Sequence, residues 1–262
     1  MNIRKRKMPR LPAYPVPALE KGLDLLEALA AAAAPQSLAG LAARQARSSS
    51  ELFRMLNCLE RRGYVTRDPV SGKYGLSLKL FALAHGHSVA EKLLAAARGP
   101  MRALTEAVRE SCHLSLLERG GLLVVAQEEC PEPVRLSIEV GGRFDPVATA
   151  SGRLLLAHLG PAARAAAVAA SPAGRRLDAR GRAALEAELA RVRRRGVSVA
   201  ESETVEGVQD VAVLVGGPGA NPMAALTVTR LRRRRGRRDD AAVRAAVRAA
   251  ARAITAALGL SP

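Results

Sequence analysis

Between residues 18 and 62, apolar positions recur at helical spacing in three successive segments. Leucines three and four residues apart predict a first helix over about 18–33, which Pro35 ends. Ser37 is suited to cap a short second helix, and a brief turn at 46–47 follows it. The spacing of these segments predicts three helices joined by short connections.

The third helix has two faces of opposite character. Ser48 and Glu51 form a capping-box pattern, in which the serine accepts a backbone hydrogen bond and the glutamate reaches back to the serine N–H. From Leu52 onward, apolar residues fall at i, i+3, i+4 and i+7, and Gly63 stops the helix. At about 100° per residue the opposite face is polar. Its residues are Ser50, Arg54, Asn57 and Arg61.

A hairpin pattern follows the third helix. Two short β-prone runs, 64–67 and 73–76, flank the turn-rich segment 68–72. Three helices followed by a basic hairpin predict a winged helix-turn-helix over residues 18–77.

Beyond the hairpin the pattern predicts a mixed domain. A helical connector, 78–98, is broken near Gly86, and Pro100 is suited to open a new helix over 100–111. The later predictions are strands at 113–118, 122–128 and 134–140, helices at 149–159 and 179–195, strands at 197–202, 208–215 and 223–230, and a final helix at 239–258. Strands with flanking helices indicate an α+β domain over 99–262.

The distribution of charged residues indicates which class of partner the chain binds. The 262 residues carry a formal net charge of +17. Residues 1–80 hold 14 Lys and Arg against 6 Asp and Glu, and seven arginines lie between Arg230 and Arg238. Residues 1–17 contain four prolines and a basic cluster, which predicts a flexible arm. A basic N-terminal region favours nucleic acid as the partner. The arginine run is expected to be a solvated loop, with a second DNA contact as the alternative.

Several classes of function are disfavoured by the sequence. The three cysteines form no C-x-x-C pair, which fits a reduced cytoplasmic protein. We expect no secretory signal and no membrane span, because no apolar run approaches the roughly 18 residues a span needs. His85 and His87 lack further ligands, so we expect no metal, and we expect no cofactor. Catalytic spacings and phosphate-binding loops are also missing, so we expect no enzyme.

At this point the order of parts resembles the IclR family of regulators, over about residues 18–258. Six segments carry the resemblance: Ala18–Leu23, Leu52–Leu56, Glu60–Val65, Thr149–Arg153, Glu206–Val208 and Ala224–Thr229. The resemblance implies a GAF-like α/β effector-binding domain, dimers or dimers of dimers on palindromic operators, and a carboxylate-bearing metabolite as effector. Two positions depart from the family: Arg153 stands where Lys is frequent, and Asp210 stands where some members have Cys.

The candidate DNA-binding residues follow from the third helix and the hairpin. Arginine pairs bidentately with guanine and asparagine with adenine, which suits Arg54 and Asn57 for reading bases. Hydroxyls and N–H groups at a helix start favour phosphate. The full set is Ser48, Ser49, Ser50, Arg54, Asn57, Arg61, Arg67 and Lys73. The competing interpretation is an ordinary solvated helix face.

The candidate effector-binding residues lie on a helix start and two strands. Thr149, Ala150, Ser151 and Gly152 are expected to offer unpaired N–H groups to an anion, with Gly152 allowing close backbone approach. Thr227 and Thr229 share a strand face, beside Asp210 on the neighbouring strand. Alternatively, the threonines are only β-formers and Ser151 only a cap.

Taken together, the sequence predicts a DNA-binding transcriptional regulator controlled by a small molecule. Two alternatives remain open. One is a DNA-architectural protein with a ligand-blind C-terminal domain, and the other is an enzyme with a GAF-like catalytic domain.

Overall fold

The computed structural model describes residues 16–85, 89–201, 206–231 and 240–260. The chain divides into two units, residues 1–88 and 89–262. An N-terminal helix-turn-helix and a C-terminal domain of helices and sheet confirm the predicted α+β class. Most of the predicted arm, residues 1–15, lies outside the described residues, and Pro17 is already helical.

Short helices and a hairpin build the N-terminal unit. Its elements are α1 (Pro17–Ala30), α2 (Leu38–Gln45), α3 (Ser49–Arg61), β1 (Val65–Arg67), β2 (Tyr74–Leu76) and α4 (Lys79–His85). Ser37 caps α2 by accepting a hydrogen bond from the Gly40 N–H at 3.1 Å. Ala46 adopts a left-handed conformation, φ 51°, and this turns the chain from α2 into α3. Leu25, Leu52 and Leu56 are fully buried where the three helices meet.

The wing is a two-stranded antiparallel sheet. Val65 pairs with Leu76 and Arg67 pairs with Tyr74. Gln36, before α2, exchanges two backbone hydrogen bonds of 2.8 Å with Tyr74. The wing is thereby tied to the start of the helix-turn-helix, and the predicted winged architecture is confirmed.

The C-terminal unit has a central sheet with helices on both faces. Its elements are α5 (Val89–Val108), β3 (Ser111–Glu118), β4 (Gly121–Glu128), β5 (Arg143–Phe144), α6 (Ala150–His158), α7 (Pro161–Ala170), α8 (Pro172–Arg175), α9 (Ala179–Arg195), β6 (Ser198–Glu201), β7 (Val208–Val215), β8 (Ala224–Leu231) and α10 (Asp240–Ala257). Within the described residues the strand order is β5-β4-β3-β8-β7-β6, antiparallel throughout. α5 and α10 pack on one face, while α6 and α9 cover the other.

The prediction that Pro100 opens a helix is wrong, because Pro100 lies inside α5. Proline removes one hydrogen bond from a helix interior and costs about 3 kcal/mol. The apolar stripe of α5 nevertheless continues across it: Leu93, Ala97, Met101 and Leu104 are all buried against the sheet. Burial of that stripe offsets the cost of the proline. The predicted break near Gly86 falls at residues 86–88, which lie outside the described residues.

The predicted strand at 134–140 is also wrong. Val134 and Val140 are exposed, and the segment is a loop with no strand partner. Alternation of apolar and polar residues predicts a strand only where one face is buried. Conversely, α7 and α8 were not predicted, because α7 buries none of its residues and so shows no apolar stripe.

Among the helices that the structure describes, none combines the length and the apolar character needed to cross a bilayer.

Candidate DNA-binding surface and effector site

The polar face of α3 lies open to solvent. Ser50, Arg54, Asn57 and Arg61 are all exposed, while Leu52 and Leu56 on the opposite face are fully buried. Packing therefore holds α3 by its apolar side and leaves these four side chains available to another molecule.

Only one of the two hydrogen bonds of the predicted capping box forms at the start of α3. The Ser48 hydroxyl accepts a hydrogen bond from the Glu51 N–H at 3.3 Å, and Ser49 is the exposed first helical residue. The expectation that Glu51 reaches back to Ser48 is wrong, because its carboxylate accepts a hydrogen bond from the Lys21 ammonium of α1. That hydrogen bond lowers the pKa of Glu51. The pair links α1 to the start of α3.

The turn of the wing is fixed by one carboxylate. Asp68 Oδ1 accepts hydrogen bonds from the Ser71 N–H at 2.6 Å and the Ser71 hydroxyl at 2.7 Å. Arg67 donates to the Gly72 carbonyl at 3.3 Å, and its guanidinium lies 5.5 Å from the centre of the Tyr74 ring. Arg67 thus stabilises the wing, whereas Lys73 extends from it as an exposed side chain.

Sequence reasoning did not select Phe53, an exposed aromatic residue on α3. Phe53 is 44% exposed and neighbours Arg54 at the border of the polar face. An apolar residue outside the buried stripe of an otherwise two-faced helix was the available signal. Aromatic and aliphatic side chains at such positions contact thymine methyl groups in the major groove.

Thr149 organises the start of α6. Its hydroxyl accepts a hydrogen bond from the Gly152 N–H at 3.2 Å and donates to the Asp145 carbonyl at 3.1 Å. The chain itself therefore occupies the Gly152 N–H. A Cβ on Gly152 would lie 2.3 Å from the Pro146 Cα and carbonyl oxygen. The close approach expected for a ligand at Gly152 is made by Pro146 instead, which corrects that prediction.

The loop before α6 depends on the Asp145 carboxylate. It accepts hydrogen bonds from the Ser171 hydroxyl at 2.6 Å and from the N–H groups of Ala173 and Val147, both at 2.8 Å. Burial by itself raises the pKa of Asp145, but these hydrogen bonds and one from the Ala148 N–H outweigh it, so the pKa lies below its usual 3.8. The carboxylate thus fastens the start of α6 to α8.

Asp145→Ala is expected to lower the free energy of unfolding by about 1–3 kcal/mol, because buried donors lose their acceptor. A carboxyl with a depressed pKa stabilises the fold above its unfolded pKa, and this contribution is lost as the pH falls through the folded pKa. The difference between wild type and variant should therefore be full near neutral pH and shrink below about pH 4. Urea unfolding across pH tests this, and a difference independent of pH would contradict it.

The three predicted sheet residues share one face. In the register of β7 and β8, Asp210 is opposite Thr229, and Ala212 is opposite Thr227. Side chains opposite each other across a ladder point to the same side of the sheet. Asp210, Thr227 and Thr229 are brought together as the sequence predicted.

Two of these residues carry buried polar atoms without partners. Thr227 is fully buried, and neither its hydroxyl nor Asp210 Oδ1 has a hydrogen-bond partner within the described residues. Burial raises the pKa of Asp210, and a hydrogen bond from Thr229 partly opposes this. Buried polar atoms in native proteins are nearly always paired, so these two atoms set Asp210 and Thr227 apart from most of the buried face.

The helix start and the sheet face belong to the same layer of the domain. Ala150 and Leu154 of α6 pack in one core cluster with Ala212 and Ala225. Ala212 is the register partner of Thr227, so this face of the sheet is the one on which α6 packs. Ala150, Ser151 and Gly152 are all buried there.

Sequence reasoning did not select two polar residues of β3. His113 is directly opposite Thr227, and Ser115 lies two residues further along the same face, opposite Ala225. Burial lowers the pKa of His113 to about 4. Their alternation within a predicted strand was the only available signal. Across the described part of the chain, no three His, Cys, Asp or Glu side chains lie close enough to hold a metal ion, and His87 lies outside it.

Both halves of the chain match family models. The model of the bacterial transcriptional regulator IclR C-terminal domain matches residues 75–256. The IclR helix-turn-helix model matches residues 18–69. The chain belongs to the IclR family of transcriptional regulators. The helix-turn-helix match lies within the first unit, and the C-terminal match covers most of the second.

Individual IclR-family relatives agree with this assignment. The chain is 31% identical over 213 residues to the probable transcriptional regulator SauR of Cupriavidus necator, covering 80% of this chain and 84% of the relative. It is 25% identical over 228 residues to the transcriptional repressor IclR of Escherichia coli, covering 82% and 80%. These relatives are named for regulating transcription, which agrees with the family of this chain.

A solved IclR homologue resembles the chain along its length. This protein from Microbacterium hydrocarbonoxydans, crystallised with 4-hydroxybenzoate, superposes with a TM-score of 0.77 at 26% identity. The match covers 92% of this chain and 99% of the homologue.

Proposed function

We propose that this IclR-family regulator binds a palindromic operator through α3 and the wing, and that a carboxylate-bearing metabolite bound in the C-terminal domain controls that binding. The observation that carries the control by a small molecule is the set of unpaired buried polar atoms on the α6 side of the sheet. A sheet face that served packing alone would carry apolar side chains there. Such a regulator acts on DNA in the cytoplasm.

On the DNA side, each candidate residue has a distinct role. Arg54 and Asn57 read base edges in the major groove, flanked by Ser50 and Arg61 on the same face. Ser48 and Ser49 at the helix start bind phosphate. Lys73 contacts the adjacent backbone, and Arg67 supports the wing that presents it.

A dimer is the assembly that suits a palindromic site, with a dimer of dimers as a further step. Apolar side chains exposed in the N-terminal unit support self-association. Leu19 and Leu23 on α1 are 59% and 49% exposed, and Leu83 on α4 is 59% exposed. We propose that a second copy of the chain covers Leu19 and Leu23, which lie one turn apart on the same side of α1, because contiguous exposed apolar surface marks an interaction site.

On the effector side, the ligand has two ends. The first-turn N–H groups of Ala150 and Ser151 precede the capped Gly152 and favour a carboxylate. Asp210 repels a carboxylate and therefore faces a hydroxyl or amine at the other end. The relative that binds 4-hydroxybenzoate takes a molecule with both groups, which supports this class of ligand.

The basic arm and the wing should contribute affinity that depends on salt but not on sequence. Lys73→Ala should reduce the slope of log K against log salt by about one unit, since each phosphate contact releases counterions. Deleting residues 1–10, with their cluster Arg4–Lys7, should flatten it further. Lys92→Ala removes the same charge from an exposed position on α5 and should leave the slope unchanged. DNA titrations at several salt concentrations test this, and an unchanged slope in the deletion would show that the arm does not touch DNA.

Calorimetry on a panel of carboxylic acids tests the effector site. Asp210→Ala should change which acids bind, because the repulsion and the hydroxyl partner are both lost. Thr227→Val keeps the shape but removes the hydroxyl, and should weaken every ligand about tenfold. If Asp210→Ala leaves all affinities unchanged, Asp210 does not face the ligand.

A further inference from the structure

A groove lined by arginines lies along one edge of the C-terminal sheet. Within the described residues β6 is the last strand of this sheet, and β7 pairs with one of its two sides. A cavity of about 510 Å³ lies against β6, with walls from the C-terminal half of α9 and the first turns of α10. We call this cavity the β6 groove. Its volume falls in the range of about 300–1,000 Å³ that is usual for small-molecule sites.

Arginines from both helices line the β6 groove. Arg191 and Arg195 lie one turn apart on the same side of α9, and Arg244 lies on α10; all three line the cavity. The Arg248 guanidinium, one turn after Arg244, donates a hydrogen bond of 2.7 Å to the Arg195 carbonyl. This contact holds the end of α9 beside α10. The three guanidinium groups are thereby brought to one cavity by two separate elements.

The positive charge of the groove is not neutralised within the described part of the chain. Among the described residues Glu188 is the only acid in the lining, and its carboxylate already accepts a hydrogen bond of 3.1 Å from Arg153. Arg191, Arg195 and Arg244 form no ion pair with any described residue. A cleft lined by charge of one sign raises the local concentration of the opposite ion. The β6 groove therefore attracts anions.

The floor of the β6 groove is apolar. Val192 and Val197 are buried there, while Val199 is 44% exposed. Val199 is opposite Val211, which packs in the core cluster of α5 and α10. Successive side chains of a strand point to opposite faces, so Asp210 points to the other side of the sheet. The groove is thus separate from the candidate effector site.

Three guanidinium groups above an apolar floor suit a phosphate ester. Guanidinium groups bind phosphate through paired, charge-assisted hydrogen bonds. A phosphate monoester carries a charge of about −1.5 to −2 at neutral pH and has three strong acceptor oxygens, whereas a monocarboxylate has one charge and two oxygens. A recessed cavity with an apolar floor also suits a small organic molecule better than the continuous backbone of a DNA duplex.

We propose that the β6 groove binds a small organic phosphate monoester. Its phosphate contacts Arg191, Arg195 and Arg244, and its carbon skeleton covers Val199. The C-terminal domain then has a second ligand site besides the proposed acid site. This inference goes beyond the proposed function and requires neither operator binding nor acid binding, so either can fail without the other.

Calorimetry on the full-length chain, with phenyl phosphate as the probe, tests the proposal. Phenyl phosphate should bind more tightly than phenyl sulfate, which has a similar shape and a single negative charge. It should also bind more tightly than inorganic phosphate, which lacks the apolar group, and phenol should not bind. Because phosphate is also expected at the start of α3, variants must locate the binding. Arg195→Ala and Arg244→Ala should each weaken phenyl phosphate about tenfold, since charge-assisted hydrogen bonds are lost.

Arg193→Ala is the matched control. It removes the same charge from the same helix, but Arg193 is exposed and lies nearly half a turn around α9 from both Arg191 and Arg195. The affinity for phenyl phosphate should therefore stay as in wild type. Val199→Thr keeps the branched shape at an exposed strand position and makes the floor more polar. It should weaken phenyl phosphate and leave inorganic phosphate unchanged.

Three results would overturn the inference. If phenyl phosphate at millimolar concentration does not bind the wild-type chain, the groove is not a phosphate site. If Arg193→Ala weakens binding as much as Arg195→Ala, the net charge of the chain is responsible rather than the groove. If Arg195→Ala and Arg244→Ala weaken random duplex DNA and leave phenyl phosphate unchanged, these arginines contact the DNA backbone instead.

Discussion

Arg54→Ala is expected to weaken binding to the operator by about 1–3 kcal/mol and to relax its sequence preference. Arg54 is exposed on α3, and the buried Leu52 and Leu56 hold the opposite face of the helix in the domain. A guanidinium presented by a helix held in this way is expected to pair bidentately with guanine, and alanine would lose both hydrogen bonds. DNA selected by the wild-type chain from a random pool provides the operator for this titration.

Arg54→Lys separates base reading from charge. Lysine keeps the positive charge but lacks the planar fork, so a base-reading arginine is not replaced by it. We expect Arg54→Lys to retain affinity for random DNA and to lose preference for the selected sequence. Equal losses on selected and random DNA in Arg54→Ala, restored by lysine, would make Arg54 a phosphate contact.

Gly152→Ala is expected to lower the free energy of unfolding of the C-terminal domain by about 3 kcal/mol, the upper part of the usual range for overpacking. The new Cβ would lie 2.3 Å from backbone atoms of Pro146, and backbone atoms have no rotamer to change. The start of α6 must then move away from the loop that holds it, so acid binding at that helix start should also be lost.

Gly22→Ala is the matched control for this change. Gly22 lies within α1, and nothing lies within 4 Å of a Cβ built there. Alanine at an open helical position should stabilise by about 0.5–1 kcal/mol. Denaturant unfolding of the full-length chain measures both variants. If Gly152→Ala unfolds at the wild-type midpoint, Pro146 can be displaced at little cost.

Much of the fold was predictable because buried faces impose a period on the sequence. α9 and β7 were predicted over 179–195 and 208–215, and they have these bounds in the structure. Both elements bury a regular set of side chains against the rest of the domain. The apolar stripe of α3 likewise predicted its orientation in the helix-turn-helix.

Secondary structure was predicted less well where local sequence signals and the actual burial of side chains disagree. Pro100 is a good local start signal, yet the apolar stripe of α5 continues through it. The segment 134–140 alternates without a partner strand, and α7 is helical without a buried stripe. In each case the decisive factor is tertiary packing, which local pattern does not contain.

In the candidate sites, too, some residues could be predicted from the local sequence pattern and others only from the three-dimensional structure. Alternation within β8 places Thr227 and Thr229 on one face, and the sequence alone is sufficient for that. That His113 and Ser115 lie on this same face follows only from the pairing of β3 with β8, strands more than 100 residues apart in sequence. The partner of Gly152 is Pro146 rather than a ligand, and only the three-dimensional arrangement distinguishes these two possibilities.

We propose that a small acid and DNA bind the same chain with coupled affinities. The most direct measurement is the dissociation constant for the selected operator with and without a saturating acid, paired with the constant for that acid with and without operator. Coupling free energies of about 1–3 kcal/mol are typical, and linkage requires the two ratios to be equal. We predict equal ratios that differ from one by about fivefold or more. An acid that binds the C-terminal domain and leaves operator affinity unchanged would contradict the claim, and the chain would then bind DNA without sensing that ligand.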